Sequence, residues 1–358
     1  MKELSKILIF VSILIFSCKN QEKSSSNGNS NDPSFAEDRG YFRLMFYNSE
    51  NFFDYSHDTL KSDNEFLPDG AKHWTESKFR QKALNLCKVI TAIGGWEPPE
   101  VVGLCEVEND IAINQLIQKT PLSKFNYQSI HFESPDNRGI DVVLLYRKNK
   151  FFPIDTTKIP ITFPFDGKNT RDVLYVKGAT TRNDTLHIFI NHWPSRWGGQ
   201  MESEPRRMYV ASVVKHVTDS IFKTNPKANI IVTGDFNDEP ENKSIIETLD
   251  ARTEYDKIKL GELYNISYYQ KTVKGMGSDK YNGEWGIIDN MIVSGGLLQK
   301  KNSIYTTLDD AHIFNAEFLL EKDEAHFGFK PFRTYIGFKY NGGYSDHLPI
   351  FIDIRRND

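Results

Sequence analysis

Short apolar runs that end in polar or ionisable residues recur along this chain, and they restrict its fold more than any other feature. Tyr41 to Tyr47, Val101 to Cys105, Ile140 to Tyr146, Leu186 to Asn191, Ile230 to Thr233, Ile287 to Val293 and Leu348 to Ile354 are four to seven residues long. That is the length of a buried strand. Helical spacing fills two of the intervals: Phe79, Ala83, Leu86, Ile90 and Ile93 advance in steps of four and three, and so do Val210, Val214, Val217 and Ile221. Each set marks one buried helix face, and the alternation predicts α/β layers. No helical pattern separates Ile140–Tyr146 from Leu186–Asn191, so these read as antiparallel neighbours in a mixed sheet. No repeat or linker interrupts the chain after residue 40. The stretch from Gly295 to Gly343, rich in Phe, Tyr and Gly, is too long for a plain loop and is expected to be functional or a small substructure.

The run tips carry the chemistry. Asn48 and Glu50 follow the first run, Glu106 and Glu108 the second, and Asn191-His192-Trp193-Pro194 the fourth. Gly234-Asp235-Phe236-Asn237 follows the fifth, and Ser345-Asp346-His347 precedes the last. Ionisable groups at the ends of apolar strands are costly unless paired or bound to a cation, and strand tips are where α/β sheets present sites. Asp141 and Asp289 instead open or interrupt the runs RGIDVVLLY and WGIIDNMIV, where a carboxylate needs a partner such as histidine. Hydrolysis of a phosphodiester needs a cation to neutralise its oxygens, a base for water and an acid for the leaving alkoxide. The chain offers all three. Arg196 and Arg206 flank His192 in HWPSRWGGQMESEPRR and are candidate phosphate clamps. Trp193 and Trp197 are candidates for stacking on a base or sugar, and Arg333 for reaching the site from the late segment. Asp238-Glu239-Pro240 reads as a helix start, which leaves Asp238 outside the site.

The ends and the charge bound the setting. Lys2 and Lys6 precede the apolar run Ile7 to Phe16, which is too short to span a membrane and has the layout of an export signal. It ends Leu14-Ile15-Phe16-Ser17-Cys18, similar to a bacterial lipobox, so residues 1–17 are expected to be cleaved and Cys18 lipidated. Residues 18–39 are Ser, Asn and Gly rich and read as a flexible tether; residues 40–358, roughly 320, suffice for one large domain. The chain is thus expected to be exported and lipid-anchored to a bacterial envelope, periplasmic or at the cell surface, with no protein partner evident. Cys87 and Cys105 read as separate core thiols, with a disulfide between them the alternative that export would permit. A net charge of −4 argues against affinity built on many phosphate contacts and leaves the neutralising to a local cation.

Seven segments in order, FRLMFYNSENFFD, VVGLCEVEN, RGIDVVLLYRKNKF, FINHWPSR, VTGDFND, GIIDNMIVS and GYSDHLPI, resemble the endonuclease/exonuclease/phosphatase superfamily over residues 41–354. The resemblance implies a four-layer α/β sandwich, two mixed sheets face to face with helices outside, and one divalent-metal site at the sheet edges. It implies magnesium, with manganese or calcium as alternatives, on Glu106, Asn48, Glu50 and Asp346. Asp235 and Asn237 would position water and a phosphate oxygen, Asp289 would orient His347, and His192 would be the general acid, oriented by Asp141. Whether Asp235 or His347 takes the proton from water stays open. The expected activity is that of an exported nuclease on DNA or RNA. The alternatives are a phosphatase or phosphodiesterase of inositol phosphates, phospholipids or other small esters, and a surface protein that binds nucleic acid without turnover.

Overall fold

The computed structural model describes residues 40–357. The expected signal peptide, the lipidated Cys18 and the tether lie outside the described residues.

Strands β1 (Tyr41–Phe52), β2 (Val101–Val107), β3 (Tyr127–His131) and β4 (Asp141–Arg147) come first, with helices α1 (Glu76–Gly94) and α2 (Asp110–Lys119) among them. Next come β5 (Phe151–Ile159), β6 (Val173–Thr180), β7 (Thr185–His192), α3 (Gln200–Thr224) and β8 (Asn229–Asp235). The last third holds β9 (Ala251–Arg252), β10 (Leu263–Asn265), β11 (Asp289–Ser294), β12 (Ile304–Tyr305), β13 (Ala311–Ile313) and β14 (Ile350–Arg356). One seven-stranded sheet has the order β12-β14-β1-β2-β4-β3, with β13 also on β14; the other runs β5-β6-β7-β8-β11-β10-β9.

Besides a short parallel pair at the edge of the second sheet, β9 with β10, each sheet has one central parallel pair, β1 with β2 and β7 with β8. A parallel pair needs a crossover, which α1 and α3 supply. Antiparallel strands flank both pairs, so β4 starts at the edge where β2 ends, with Asp141 opposite Val107. In the same way Asp289, the first residue of β11, stands opposite Asp235, the last of β8. The mixed topology therefore gathers strand starts and strand ends at one edge, which accounts for the unusual positions of Asp141 and Asp289.

The sheets face each other, β1 and β2 meeting β8 and β4 meeting β6 and β7. At Gly103 the facing sheet comes close enough that an added Cβ would lie 2.7 Å from Ile190 Cδ1. The buried face of α1, Phe79 to Ile93, joins the core shared by the sheets. Val210, Val214 and Phe222 of α3 pack with Phe189, Ile230 and Val232 in a second core. Each fully buried side chain of this kind contributes about 1.5–3 kcal/mol. The α/β fold with two large mixed sheets agrees with the expectation. One pairing does not: the runs within β4 and β7 lie in different sheets, because β5 and β6 intervene. Cys87 and Cys105 are free and buried. The late segment is a chain of short hairpins, Leu320–Lys322 with Phe329–Pro331 and Tyr335–Ile336 with Lys339–Tyr340.

Candidate active site

The backbone leaves regular strand geometry where the polar residues begin. Register breaks between Asn48 and Phe52 in β1 and between Cys105 and Val107 in β2, so Glu106 is an extra residue at a bulge. Glu50, Asn51, Glu106 and Asn237 have φ of 49°, 56°, 59° and 50°. Left-handed backbone at a non-glycine residue costs about 1–3 kcal/mol and persists only where surrounding contacts impose it. Those contacts are present. The Asn51 amide donates to Glu106 Oε2 at 2.9 Å, the Glu50 amide to Asn48 Oδ1 at 2.9 Å, and the Asn237 amide to Asp235 Oδ1 at 2.9 Å.

The two sheet edges meet at Asn48. Its Nδ2 lies 3.0 Å from Asp235 Oδ2, 3.4 Å from Glu106 Oε1 and 3.5 Å from His347 Nε2. His347 Nδ1 is 2.7 Å from Asp289 Oδ2, while its Nε2 lies 3.9 Å from Asp235 and 4.0 Å from Asp346. His192 points Nε2 at Asp235, 3.6 Å, and Glu106, 3.8 Å. Its buried Nδ1 has no hydrogen-bond partner among the described residues. Asn237 Nδ2 donates to the Trp193 carbonyl at 3.0 Å, which joins the loops after β7 and β8.

Burial sets these groups apart electrically. It would lower His347, yet the Asp289, Asp235 and Asp346 carboxylates hold the imidazole well above its ordinary value, so it is a cation at neutral pH. Asp235 is raised to about 7 by burial and by the Asp289 and Glu106 charges. His192 is pushed well below the usual imidazole value by burial and the Arg171 guanidinium. It is therefore neutral. Desolvation would raise Asp346, but His347 and Arg333 outweigh it and hold its carboxyl down.

Several expected roles meet different partners. Asp141 does not touch His192; its carboxylate accepts from the Ser134 amide at 2.9 Å and lies 3.3 Å from His131 Nε2, because the β3–β4 pairing places His131 beside it. Arg206 Nε is bound to Asp166 at 2.5 Å, so its charge is met away from the phosphate-binding position expected for it. Arg196 acts as a strut, donating to the Asn237 carbonyl at 2.7 Å and Asn242 Oδ1 at 3.0 Å. Asn48 spends its amide oxygen on Glu50 and presents a donor to the site, where a cation ligand was expected. Glu50 is buried and accepts from the Thr334 amide at 2.6 Å and Arg333 Nε at 3.2 Å. Arg333 also donates to Asp346 Oδ2 at 2.8 Å, which confirms that the late segment reaches the site. Trp193 is a packing residue, buried and stacked on Phe236 at 4.3 Å.

Three contributors escaped the sequence reading. Arg171 stands just before β6, at the same edge as the end of β7, and donates to the Trp193 carbonyl at 2.7 Å. Lys82 of α1 is fully buried and donates to Thr334 Oγ1 and the Tyr344 carbonyl, both at 2.5 Å. Asp279 forms a backbone bridge to His347. For Arg171 the signal was available, since strand starts share the edge as Asp141 and Asp289 do.

The site carries the oxygen and imidazole donors a divalent cation takes, and Asp235, Asp289 and His347 group closely enough to hold one. Glu106 and Asp346 are the expected acidic ligands left partly open to solvent, 14% and 34% exposed, whereas Glu50 is closed off. Oxygen donors with room for water suit a hard divalent cation. Among the described residues, Cys105 groups with His192 and Asp235, but burial holds its thiol well above the ordinary value, so it stays a neutral, poor ligand.

A family model described as Endonuclease/Exonuclease/phosphatase family matches residues 43–356. No curated protein sequence matches significantly. The fold is similar to that of the human Nocturnin catalytic domain with bound sulfate, at 18% identity and TM-score 0.52, covering 89% of this chain and 96% of that one. It is similar to Bacteroides thetaiotaomicron mannosyl-6-phosphatase, at 14% identity and TM-score 0.54, covering 87% and 99%. It is also similar to D. rerio TDP2 complexed with a single-strand DNA product, at 14% identity and TM-score 0.52, covering 88% and 99%.

Proposed function

The chain belongs to the endonuclease/exonuclease/phosphatase family, and from that premise we propose that it hydrolyses phosphoesters by metal-assisted attack of water. The observation that carries the reading is the continuous contact from Asp289 through His347 to Asn48, Asp235 and Glu106 across the two sheet edges. When bound, a divalent cation neutralises phosphoryl oxygen and makes a coordinated water more acidic. Glu106 and Asp346 would hold it. Asp235, raised to about 7, is matched to accept a proton from water near neutral pH. His347, a cation oriented by Asp289, donates its Nε2 hydrogen to a phosphoryl oxygen. Asn48 Nδ2 donates beside it, and neutral His192 offers a ring N–H toward the leaving oxygen. The water oxygen bonds to phosphorus as its proton passes to Asp235, the bond to the alcohol oxygen breaks with its electron pair, and that oxygen takes a proton from solvent.

Magnesium as the natural ion, the export signal and the lipid anchor at Cys18 belong to the same proposal on the sequence grounds given above. Nucleic acid and small esters are both open as substrates: one similar structure holds a DNA product and another is a mannosyl-6-phosphatase. The test is turnover of 4-nitrophenyl phosphate and bis(4-nitrophenyl) phosphate with added magnesium. A chelator is expected to abolish it, Asp235→Asn to lower kcat ~10²–10⁴-fold, and Glu106→Gln to weaken magnesium binding in a calorimetric titration. Full activity in both variants would refute the assignment.

A further inference from the structure

Outward from Asn237 and Asp346 the site opens into a cleft of about 1020 Å³ that the proposed chemistry leaves unused. That volume is enough for a small molecule. One wall is the segment from Ser195 to Gln200, the other the hairpin of Asp279–Tyr281 and Glu284–Gly286. Each wall contributes an indole that is open to water, Trp197 at 88% exposed and Trp285 at 39%. The Trp285 platform is built in. A Cβ at Gly277 would fall 2.7 Å from Trp285 Cβ and 3.1 Å from its Cε3, so the indole lies against bare backbone. The hairpin is also keyed to the reacting centre: Asp279 bridges His347, and the Leu348 amide donates to the Ser278 carbonyl at 2.6 Å. Lys280 anchors the hairpin from behind through a buried pair with Asp323 at 2.9 Å.

Charge decides what such a cleft accepts. Glu239, Asp279, Glu284 and Asp346 line it; Lys271 pairs with Glu239 and Arg333 with Asp346, which leaves Asp279 and Glu284 without a salt bridge among the described residues, and the lining Arg196 is already held by Asn237 and Asn242. Asp279 Oδ1 is buried with no hydrogen-bond partner among the described residues. A chain of phosphates needs Lys and Arg contacts and meets carboxylates instead. Hydroxyl groups meet acceptors, and the apolar face of a ring meets an indole.

We infer that this cleft seats the alcohol part of the substrate as a neutral polyhydroxylated ring, and that the enzyme is a hydrolase of sugar phosphates. The ring lies against Trp285 and Trp197 with its hydroxyls on Asp279 and Glu284. Water attacks phosphorus, the bond to the sugar oxygen breaks with its pair, that oxygen takes a proton, and free sugar and inorganic phosphate leave. The inference rests on the hydrolase reading above and names its substrate class.

The test compares mannose 6-phosphate and glucose 6-phosphate with glycerol 3-phosphate, adenosine 5′-monophosphate and a single-stranded DNA oligonucleotide, using the full chain at equal magnesium. The better hexose ester is expected to exceed the others at least ~10-fold in kcat/KM. Trp285→Ala should raise its KM about 10-fold with little change in kcat, and Trp285→Phe should recover part of the loss. Trp197→Ala, at an exposed position that folding does not need, should act in the same direction. Preference for the nucleotide or DNA, or unchanged KM in both alanine variants, overturns the sugar assignment while hydrolysis stands. Failure to turn over any ester, the nitrophenyl compounds included, removes the hydrolase reading itself.

Discussion

His187 on β7 lies with its Nδ1 2.8 Å from the Tyr175 hydroxyl, and burial together with the Lys177 ammonium pushes it down to about 4. Because the folded value lies below the ordinary one, the unfolded chain takes up the proton first on acidification. The stabilising effect of neutral His187 is complete above about pH 6.5 and is lost as pH falls toward about 4. His187→Gln should therefore flatten the fall of unfolding free energy between those values, by up to ~1.4 kcal/mol per pH unit, in urea titrations across that range. Identical slopes in the two proteins would count against it. At this same scale, the residues with chemistry were legible wherever a strand tip announced them: Glu106, Asp235, Asp289 and His347 all stand at one seam. Their division of labour was not. Asp235 and His347 differ in charge state because of what surrounds each in space, and no local sequence pattern encodes that. The partner of Asp141 was hidden for a related reason: the register between β3 and β4 selects His131 over His192.

Among the elements, α3 is locked to the loop after β8 by Arg207, whose Nε lies 2.7 Å from Asp238 Oδ2 with both side chains buried. Arg207 also donates to Ser203 Oγ at 2.7 Å, which ties the helix start to the same pair. Arg207→Met removes the shortest ion pair of the buried Asp238 carboxylate, leaving the Ser244 hydroxyl at 2.6 Å and the Arg196 guanidinium at 3.5 Å, and should cost about 3 kcal/mol in denaturant unfolding. A loss below about 1 kcal/mol would show that water reaches Asp238. Helices α1 and α3 were readable from their spacing. The ten-residue α2 was not singled out; its cap is Asn109, which accepts from the Ile111 and Ala112 amides directly after the Glu106–Glu108 strand tip. Glu108 is in fact buried, accepts from the Asp54 amide at 2.7 Å and is raised to about 8 by burial and the neighbouring Asp54. Strand β5 escaped because most of its side chains are exposed and Pro153 sits at a register break, the behaviour of an edge strand.

For the whole molecule, the two sheets repeat one plan, a parallel pair with a helical crossover flanked by antiparallel strands. The candidate site lies where the equivalent edges meet. Among the described residues the core that holds this seam runs from Phe42 to Ile354, and the lipid anchor proposed at Cys18 would set location. Cys18→Ser should move the protein from the membrane fraction to the soluble fraction and leave its unfolding midpoint unchanged, read by fractionation and thermal melting. Retention in the membrane fraction would show that another segment holds it there. The late segment was legible only as too long for a loop, since strands of two or three residues carry no measurable period.

The bulge at Glu106 ties the fate of this chain to its use. Glycine and asparagine adopt that left-handed conformation far more readily than glutamate, so copies released from selection would drift toward them and grow sturdier as they fell silent. An acid kept at that position marks a lineage still at work.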